Sequence, residues 1–107
     1  MDMTHAFAAL SDPTRLAIVT RLAERGETDV MDLVPDFPIS QPAISRHVKV
    51  LEETGWVTRR KVGTRRPIRL ASGRLDEIIV WSGRLRAALH ANYARLDDLL
   101  AEKDISE

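Results

Sequence analysis

Residues 39–57 read ISQPAISRHVKVLEETGWV, and the spacing inside this stretch decides the fold. Ser40 offers a side-chain oxygen to the free N–H groups of a helix start, and Gly55 offers a stop, so the pattern predicts a helix capped by Ser40 and running to about Thr54. At 100° per residue, Ile44, Val48 and Leu51 fall on one stripe, with His47 at its edge. Pro42, Ser45, Arg46 and Lys49 cluster on the opposite side, with Gln41 at the first turn. One face is thus core and the other is small, polar and basic, which is what a helix entering a DNA major groove requires.

Upstream, the spacing predicts a short first helix capped by Thr4, with Met3, Phe7 and Leu10 as its apolar stripe. Asp12 suits an N-cap and Pro13 the first helical position, where a missing N–H costs nothing. The helix from Pro13 to about Arg25 should carry Leu16, Val19, Leu22 and Ala23 on its inner face, with Gly26 ending it. A third element beginning near Asp29 must be short, because Pro35 cannot sit deep in a helix, and residues 36–39 form a turn.

Downstream, residues 56–70 (WVTRRKVGTRRPIRL) read as two extended runs around Gly63, hence a hairpin with Trp56, Val57, Ile68 and Leu70 inward. Pro67 cannot donate to a ladder, so its strand should lie at a sheet edge there or be irregular. From Ser72 to about Glu102 the chain reads as one long helix. Its heptad positions are Leu75, Ser82, Leu89 and Leu96, and Ile78, Leu85, Asn92 and Leu99, widened by Ile79, Trp81, Tyr93 and Leu100. Such a helix has more apolar face than a small domain can cover, so a partner helix is expected, with Ser82 and Asn92 as polar seam positions.

Composition narrows the function. A chain of 107 residues with 44% apolar content is one small folded domain. Without Cys there are no disulfides, thiolate metal sites or cysteine nucleophiles. Three scattered histidines (His5, His47, His90) and no glycine-rich phosphate loop leave no catalytic constellation, so no enzyme is expected. There is no apolar run long enough for a membrane span and no secretory leader in MDMTHAFAAL, so the expected location is the cytoplasm. The net charge of zero conceals a division. Residues 1–38 carry 3 basic and 7 acidic side chains (−4), residues 39–74 carry 9 and 2 (+7), and residues 75–107 carry 4 and 7 (−3). Polyanion affinity follows this local field rather than the total. RNA or single-strand binding would call for aromatics among the basic residues, and that segment offers only Trp56.

The order helix–helix–helix–turn–helix–hairpin–helix describes a mostly α winged helix-turn-helix with a small β-hairpin wing, dimerised through its terminal helices. Within the span 1–107, residues 1–10 and 72–102 are the expected dimerisation helices, 29–54 the helix-turn-helix and 56–70 the wing. The stretch from Ala9 to Leu70 resembles the ArsR family of bacterial transcriptional repressors, through ALSDPTRLAIVTRLAERGE (9–27), ISQPAISRHVKVLEETGWV (39–57) and the wing turn at Gly63. The resemblance implies a homodimer on a pseudo-palindromic operator in double-stranded DNA. Carried over by position, base contacts fall on Gln41, Pro42, Ser45 and Arg46, with Lys49 on the same face. Gln41 suits adenine, and Arg46 suits guanine or a phosphate. Pro42 stands where other members have a polar residue. Ser40 reads as a cap and His47 as a half-buried ring rather than as DNA contacts. Arg60, Lys61, Arg65 and Arg66, with Thr64 at the tip, would grip phosphates or the minor groove, whereas strand alternation leaves the direction of Arg59 and Arg69 open. The dimer interface is expected at Phe7, Leu75, Ile78, Trp81, Ser82, Leu85, Leu89, Asn92, Tyr93 and Leu96.

Metal-sensing members carry a Cys-Val-Cys-Asp-Leu type motif where this chain has Asp29-Val30-Met31-Asp32-Leu33, so thiolate sensing there is excluded. A site on the last helix has only His90, Asp97, Asp98 and Glu102 to draw on, with His5 across a dimer. The chain therefore looks like the metal-independent branch, with no metal and no cofactor expected. The alternatives are a winged-helix protein-interaction module, or a regulator sensing a small hydrophobic effector (at Trp81 and Tyr93) or a metal at the dimer seam.

Overall fold

The computed structural model describes residues 3–105, with side chains described to residue 101. The chain groups into two compact units, Met1–Leu75 and Asp76–Glu107. The elements run α1 (Met3–Ala9), α2 (Pro13–Arg25), β1 (Thr28–Asp29), α3 (Val30–Leu33), a 3-10 turn (Val34–Asp36), α4 (Gln41–Glu53), β2 (Val57–Arg59), β3 (Pro67–Leu70) and α5 (Ser72–Ile105). The helix limits follow their caps. Asp12 accepts from the Arg15 N–H at 3.0 Å, Asp29 from Met31 at 2.9 Å and Ser40 from Ala43 at 3.3 Å. Gly26 ends α2, its N–H returning to the Leu22 carbonyl at 2.9 Å. Pro35 confines α3 to one turn and sits in the 3-10 turn that follows.

The first unit closes around α4. Ile44, Val48 and Leu51 are fully buried, as the stripe requires, in a core with Ile18, Val19 and Leu22 of α2, Val30 and Leu33 of α3, Trp56 just before β2, and Val57 and Ile68 of the sheet. Gly55 turns the chain from α4 into β2 at φ +85°, and a Cβ there would stand 2.7 Å from Arg74 Nε, which donates to the Thr54 carbonyl. Both conditions favour glycine.

Four expectations need correction. Thr4 lies inside α1 rather than capping it. The buried residues of α1 are Ala6 and Ala9, while Phe7 is 41% exposed. The reason is Trp56, whose buried indole N–H donates to the Ala6 carbonyl at 2.8 Å; small side chains let the helix backbone approach the ring. On α2 the inner face is Ile18, Val19 and Leu22, with Leu16 49% exposed and Ala23 exposed as well. The hairpin gains a third strand, in the order β1-β3-β2, so β3 is central rather than an edge. Pro67 is tolerated as its first residue, facing Asp29 of β1, while its carbonyl accepts from Arg60 at 3.0 Å.

The second unit is the bulk of α5. The whole helix has 34 residues, about 50 Å. Within it Ile79, Trp81, Leu85, Leu89, Tyr93, Leu96, Leu99 and Leu100 are all exposed. The Ser82 hydroxyl donates to the Ile79 carbonyl at 3.2 Å, and Asn92 Oδ1 accepts from Arg95 at 2.6 Å. Among the described residues, no helix is long and apolar enough to cross a membrane.

The rotation of α2 can be tested directly. Leu22→Ala should cost about 2–5 kcal/mol and Leu16→Ala no more than about 0.5 kcal/mol, by urea denaturation at one protomer concentration. A second test concerns acid. Asp12 is held below the ordinary carboxylate range, chiefly by the Arg15 N–H, against burial and with help from the charges of His47 and Arg15. Asp36 is lowered chiefly by its hydrogen bond from Arg25, against burial and with help from the charges of Arg25 and Arg21. With the folded values depressed, this stability is complete above the ordinary Asp value near about 4 and is lost as pH falls through the lower folded values. Asp12→Asn keeps a cap but removes one titrating group, so its urea midpoint should fall less steeply below about pH 4 than that of the parent.

Candidate nucleic-acid interface

The outward side of α4 is set by what the inward side buries. With Ile44, Val48 and Leu51 enclosed, Gln41, Pro42, Arg46 and Lys49 are exposed and Ser45 is half-buried. The Gln41 amide points along its own helix face toward Ser45 Oγ at 3.5 Å, which places two groups capable of base-edge hydrogen bonds side by side. Among the described residues, Arg46, Lys49 and Lys61 take part in no ion pair. His47 is half-buried, and its Nδ1 accepts from Arg15 Nη1 at 3.2 Å; Arg15 Nε is held by the Ala9 carbonyl at 2.6 Å. The ring thus locks α4 to the start of α2.

The wing rises beyond β2 and β3. Val62 and Arg65 pair through both backbone groups, at 3.2 and 2.9 Å, across a tip where Gly63 adopts φ +61°. A left-handed residue is what such a tight reversal needs. Lys61, Thr64 and Arg65 are exposed around this tip. A cleft of about 250 Å³ separates it from α4, lined by Asp29, Met31, Gln41, Ser45, Thr64 and Arg66. The Gln41–Ser45 end of α4 and the wing tip therefore border one surface.

Two of the expected phosphate-gripping arginines are already engaged within the protein. Arg60 makes a two-point ion pair with Glu27, with Nε at 3.2 Å from Oε2 and Nη2 on Oε1. That hydrogen bond is the main cause that lowers the Glu27 carboxyl and raises the Arg60 guanidinium. Arg66 is half-buried, and its guanidinium folds back onto the carbonyls of Gly63 at 3.1 Å and Arg65 at 2.8 Å. Arg59 stands 3.5 Å from Glu52 and lines the same α4–wing cleft, whereas Arg69 Nε donates to Thr58 Oγ1 at 3.3 Å.

Sequence reasoning missed the groups on the other side of these contacts. Asp29 caps α3 through Oδ1, while its Oδ2 accepts from the Arg66 N–H at 3.0 Å and lies 3.6 Å from Arg65 Nε. Its carboxyl is lowered chiefly by the N–H groups of Met31 and Arg66, against burial. Nothing local announces these partners, since 37 residues separate Asp29 from Arg66 and 33 separate Glu27 from Arg60. Asp29 and Met31, at the positions of the thiolate motif, thus belong to a cap and a cleft. No cluster of three or more metal-ligating side chains occurs among the described residues; the Glu102 side chain lies outside them.

Known proteins share this arrangement. The family model of bacterial regulatory proteins of the arsR family matches residues 12–59, from the α2 cap to the end of β2. The HTH-type transcriptional regulator Rv2034 of Mycobacterium tuberculosis is 43% identical over 98 residues, covering 87% of this chain and 86% of the relative. An arsenical resistance operon repressor of Staphylococcus aureus is 41% identical over 78 residues, covering 73% and 74%. The solved structure of an ArsR-like transcriptional regulator from Rhodococcus sp. RHA1 superposes with a TM-score of 0.78 at 30% identity, over 91% of each chain. These relatives are regulators rather than enzymes. With its winged helix-turn-helix and the basic outward face of α4, this chain belongs to the ArsR family and is a DNA-binding transcriptional regulator.

Proposed function

We propose that the protein is a cytoplasmic homodimeric repressor that binds a pseudo-palindromic operator and is not controlled through a thiolate metal site. The observation that carries this reading is the pairing of a polar, basic α4 face with an exposed wing tip on one surface. Gln41 and Ser45 read base edges, Pro42 packs against the groove floor, and Arg46 takes a guanine or a phosphate. Lys49, Lys61, Thr64 and Arg65 hold the backbone, positioning the protein without specifying sequence. Arg60 and Arg66 contribute positive potential from within their internal contacts and reach phosphate only by leaving them.

Dimerisation is supported by the apolar face of α5. Trp81 is 45% exposed, Leu85 52%, Leu89 47% and Leu96 54% in the single chain, values suited to a face that a partner covers. Phe7, Leu75, Ile78 and Tyr93 extend the proposed interface. Ser82 and Asn92, already hydrogen-bonded within their own helix, enter it as satisfied groups. Two α4 helices held about one duplex turn apart then meet successive major grooves on one side of the DNA. The arsenical resistance repressors among the relatives act on an operon by name; the gene controlled here is identified by mapping the bound sites.

Two experiments test this reading. Operator affinity should fall steeply with salt, by roughly 10³–10⁵ between about 50 and 200 mM for six to ten phosphate contacts, and a flat response would remove the phosphate-gripping mechanism. In the same titration Arg46→Ala should cost about 1–3 kcal/mol and relax preference at one base pair; equal loss on every sequence assigns Arg46 to phosphate instead. Separately, Leu85→Glu with Leu89→Glu should sediment as a monomer with little operator affinity. A variant that stays dimeric places the seam elsewhere.

A further inference from the structure

The Asp29 side chain is only 9% exposed, although it lies beside the most basic part of the chain. Both of its oxygens are committed, to different elements. Oδ1 takes the Met31 N–H of α3, and Oδ2 takes the Arg66 N–H at the foot of the wing. From that foot the Arg66 guanidinium reaches up to the carbonyls of Gly63 and Arg65, closing the wing tip from inside. Across the cleft, Met31, Gln41 and Ser45 face Thr64 and Arg66. A continuous polar chain thus runs from α3, the first helix of the helix-turn-helix, through Asp29 and the Arg66 backbone to the tip that carries Arg65.

β1 and β2 alone leave the wing weakly held. The ladder has two registered pairs between β1 and β3 and three between β2 and β3, all below the tip. Toward the tip, residues 62–66 are organised by the Val62–Arg65 bridge and the Arg66 side chain, and at the foot by the Val30 N–H, which donates to the Arg66 carbonyl at 3.3 Å, and by the Asp29 carboxylate, which meets the Arg66 N–H and lies 3.6 Å from Arg65 Nε. A hairpin of this size is marginal without support from a neighbouring element.

From this geometry we propose that Asp29 is the positioning residue of the wing: its carboxylate ties the wing foot to the helix-turn-helix, so that Lys61 and Arg65 meet phosphates in register with the base contacts of α4. The proposal rests on the reading that the wing binds DNA. It assigns Asp29 no contact with the nucleic acid, and it makes Arg66 an internal brace rather than a phosphate ligand.

Asp29→Ser separates the two functions of the carboxylate. Serine is as good an N-cap as aspartate, but its single short hydroxyl cannot also reach the Arg66 N–H. The variant should keep the circular dichroism spectrum and dimeric state of the parent. Residues 62–66 should become more mobile in backbone ¹⁵N relaxation of the free protein. Operator affinity should fall on the order of tenfold, with a salt dependence shallower by about 0.9 in slope for each phosphate that the wing no longer holds. Asp29→Asn, which retains one acceptor oxygen, should fall between the two and carries the test if the serine variant does not fold. The proposal is overturned by a salt slope and wing mobility equal to those of the parent. It is equally overturned if affinity falls with an unchanged slope, because a folding defect alone does that. A Lys61→Ala, Arg65→Ala double variant marks the underlying reading. If this reference keeps the parent's slope, the wing does not hold phosphate, and the failure belongs to that reading rather than to Asp29.

Discussion

Enclosure of the Ile44–Val48–Leu51 stripe is the constraint on which the rest of the first unit depends. All three side chains are fully buried, and burying a Leu, Ile or Val contributes about 1.5–3 kcal/mol each. Rotating α4 about its axis would expose them and put Arg46 or Lys49 into an apolar core, where an unpaired charge is not tolerated. The outward display of Gln41, Pro42, Arg46 and Lys49 is therefore a by-product of core packing. A helix held in this way needs no interaction of its own to keep its polar, basic face exposed.

Around that helix, polar contacts join elements distant in sequence. Trp56 hangs α1 from the sheet by one buried hydrogen bond to Ala6. His47 joins α4 to Arg15, and Arg15 in turn holds the end of α1 through the Ala9 carbonyl. Arg21 and Arg25 of α2 grip Asp36, the last residue of the 3-10 turn, at 3.0 and 2.7 Å. Exposed ion pairs of this kind contribute little energy each; their consequence is geometric, since they fix where loops leave and enter. The acidic excess of residues 1–38 is used in part in this way, because Glu27 and Asp29 face the basic wing while Asp12 and Asp36 hold α2 at its two ends.

That distribution also explains how a chain with no net charge presents a basic surface. Arg60 and Arg66 are engaged in internal contacts, whereas Lys61, Arg46 and Lys49 are exposed without ion pairs among the described residues. The field at the α4–wing surface depends on which cations remain outward, and a residue count alone does not reveal that.

The residues by themselves determined every helix but not every face. Caps and stops are local chemistry, so Asp12, Gly26, Asp29, Pro35, Ser40 and Gly55 marked the ends of α2, α3 and α4, and a clear 3.6 period marked the core side of α4. On α1 and α2 the apolar residues are spread around the axis, so periodicity favoured Phe7 and Leu16. Tertiary packing chose Ala6, Ala9 and Ile18 instead, because Trp56 requires small neighbours and the sheet approaches from that side. The two residues of β1 are too few to show an alternating pattern; they become a strand only because β3 lies beside them. The same holds for the wing, whose basic residues are plain in the sequence. Which of them face outward and which brace the hairpin was decided by Glu27 and Asp29, partners more than thirty residues away whose approach only the folded chain creates.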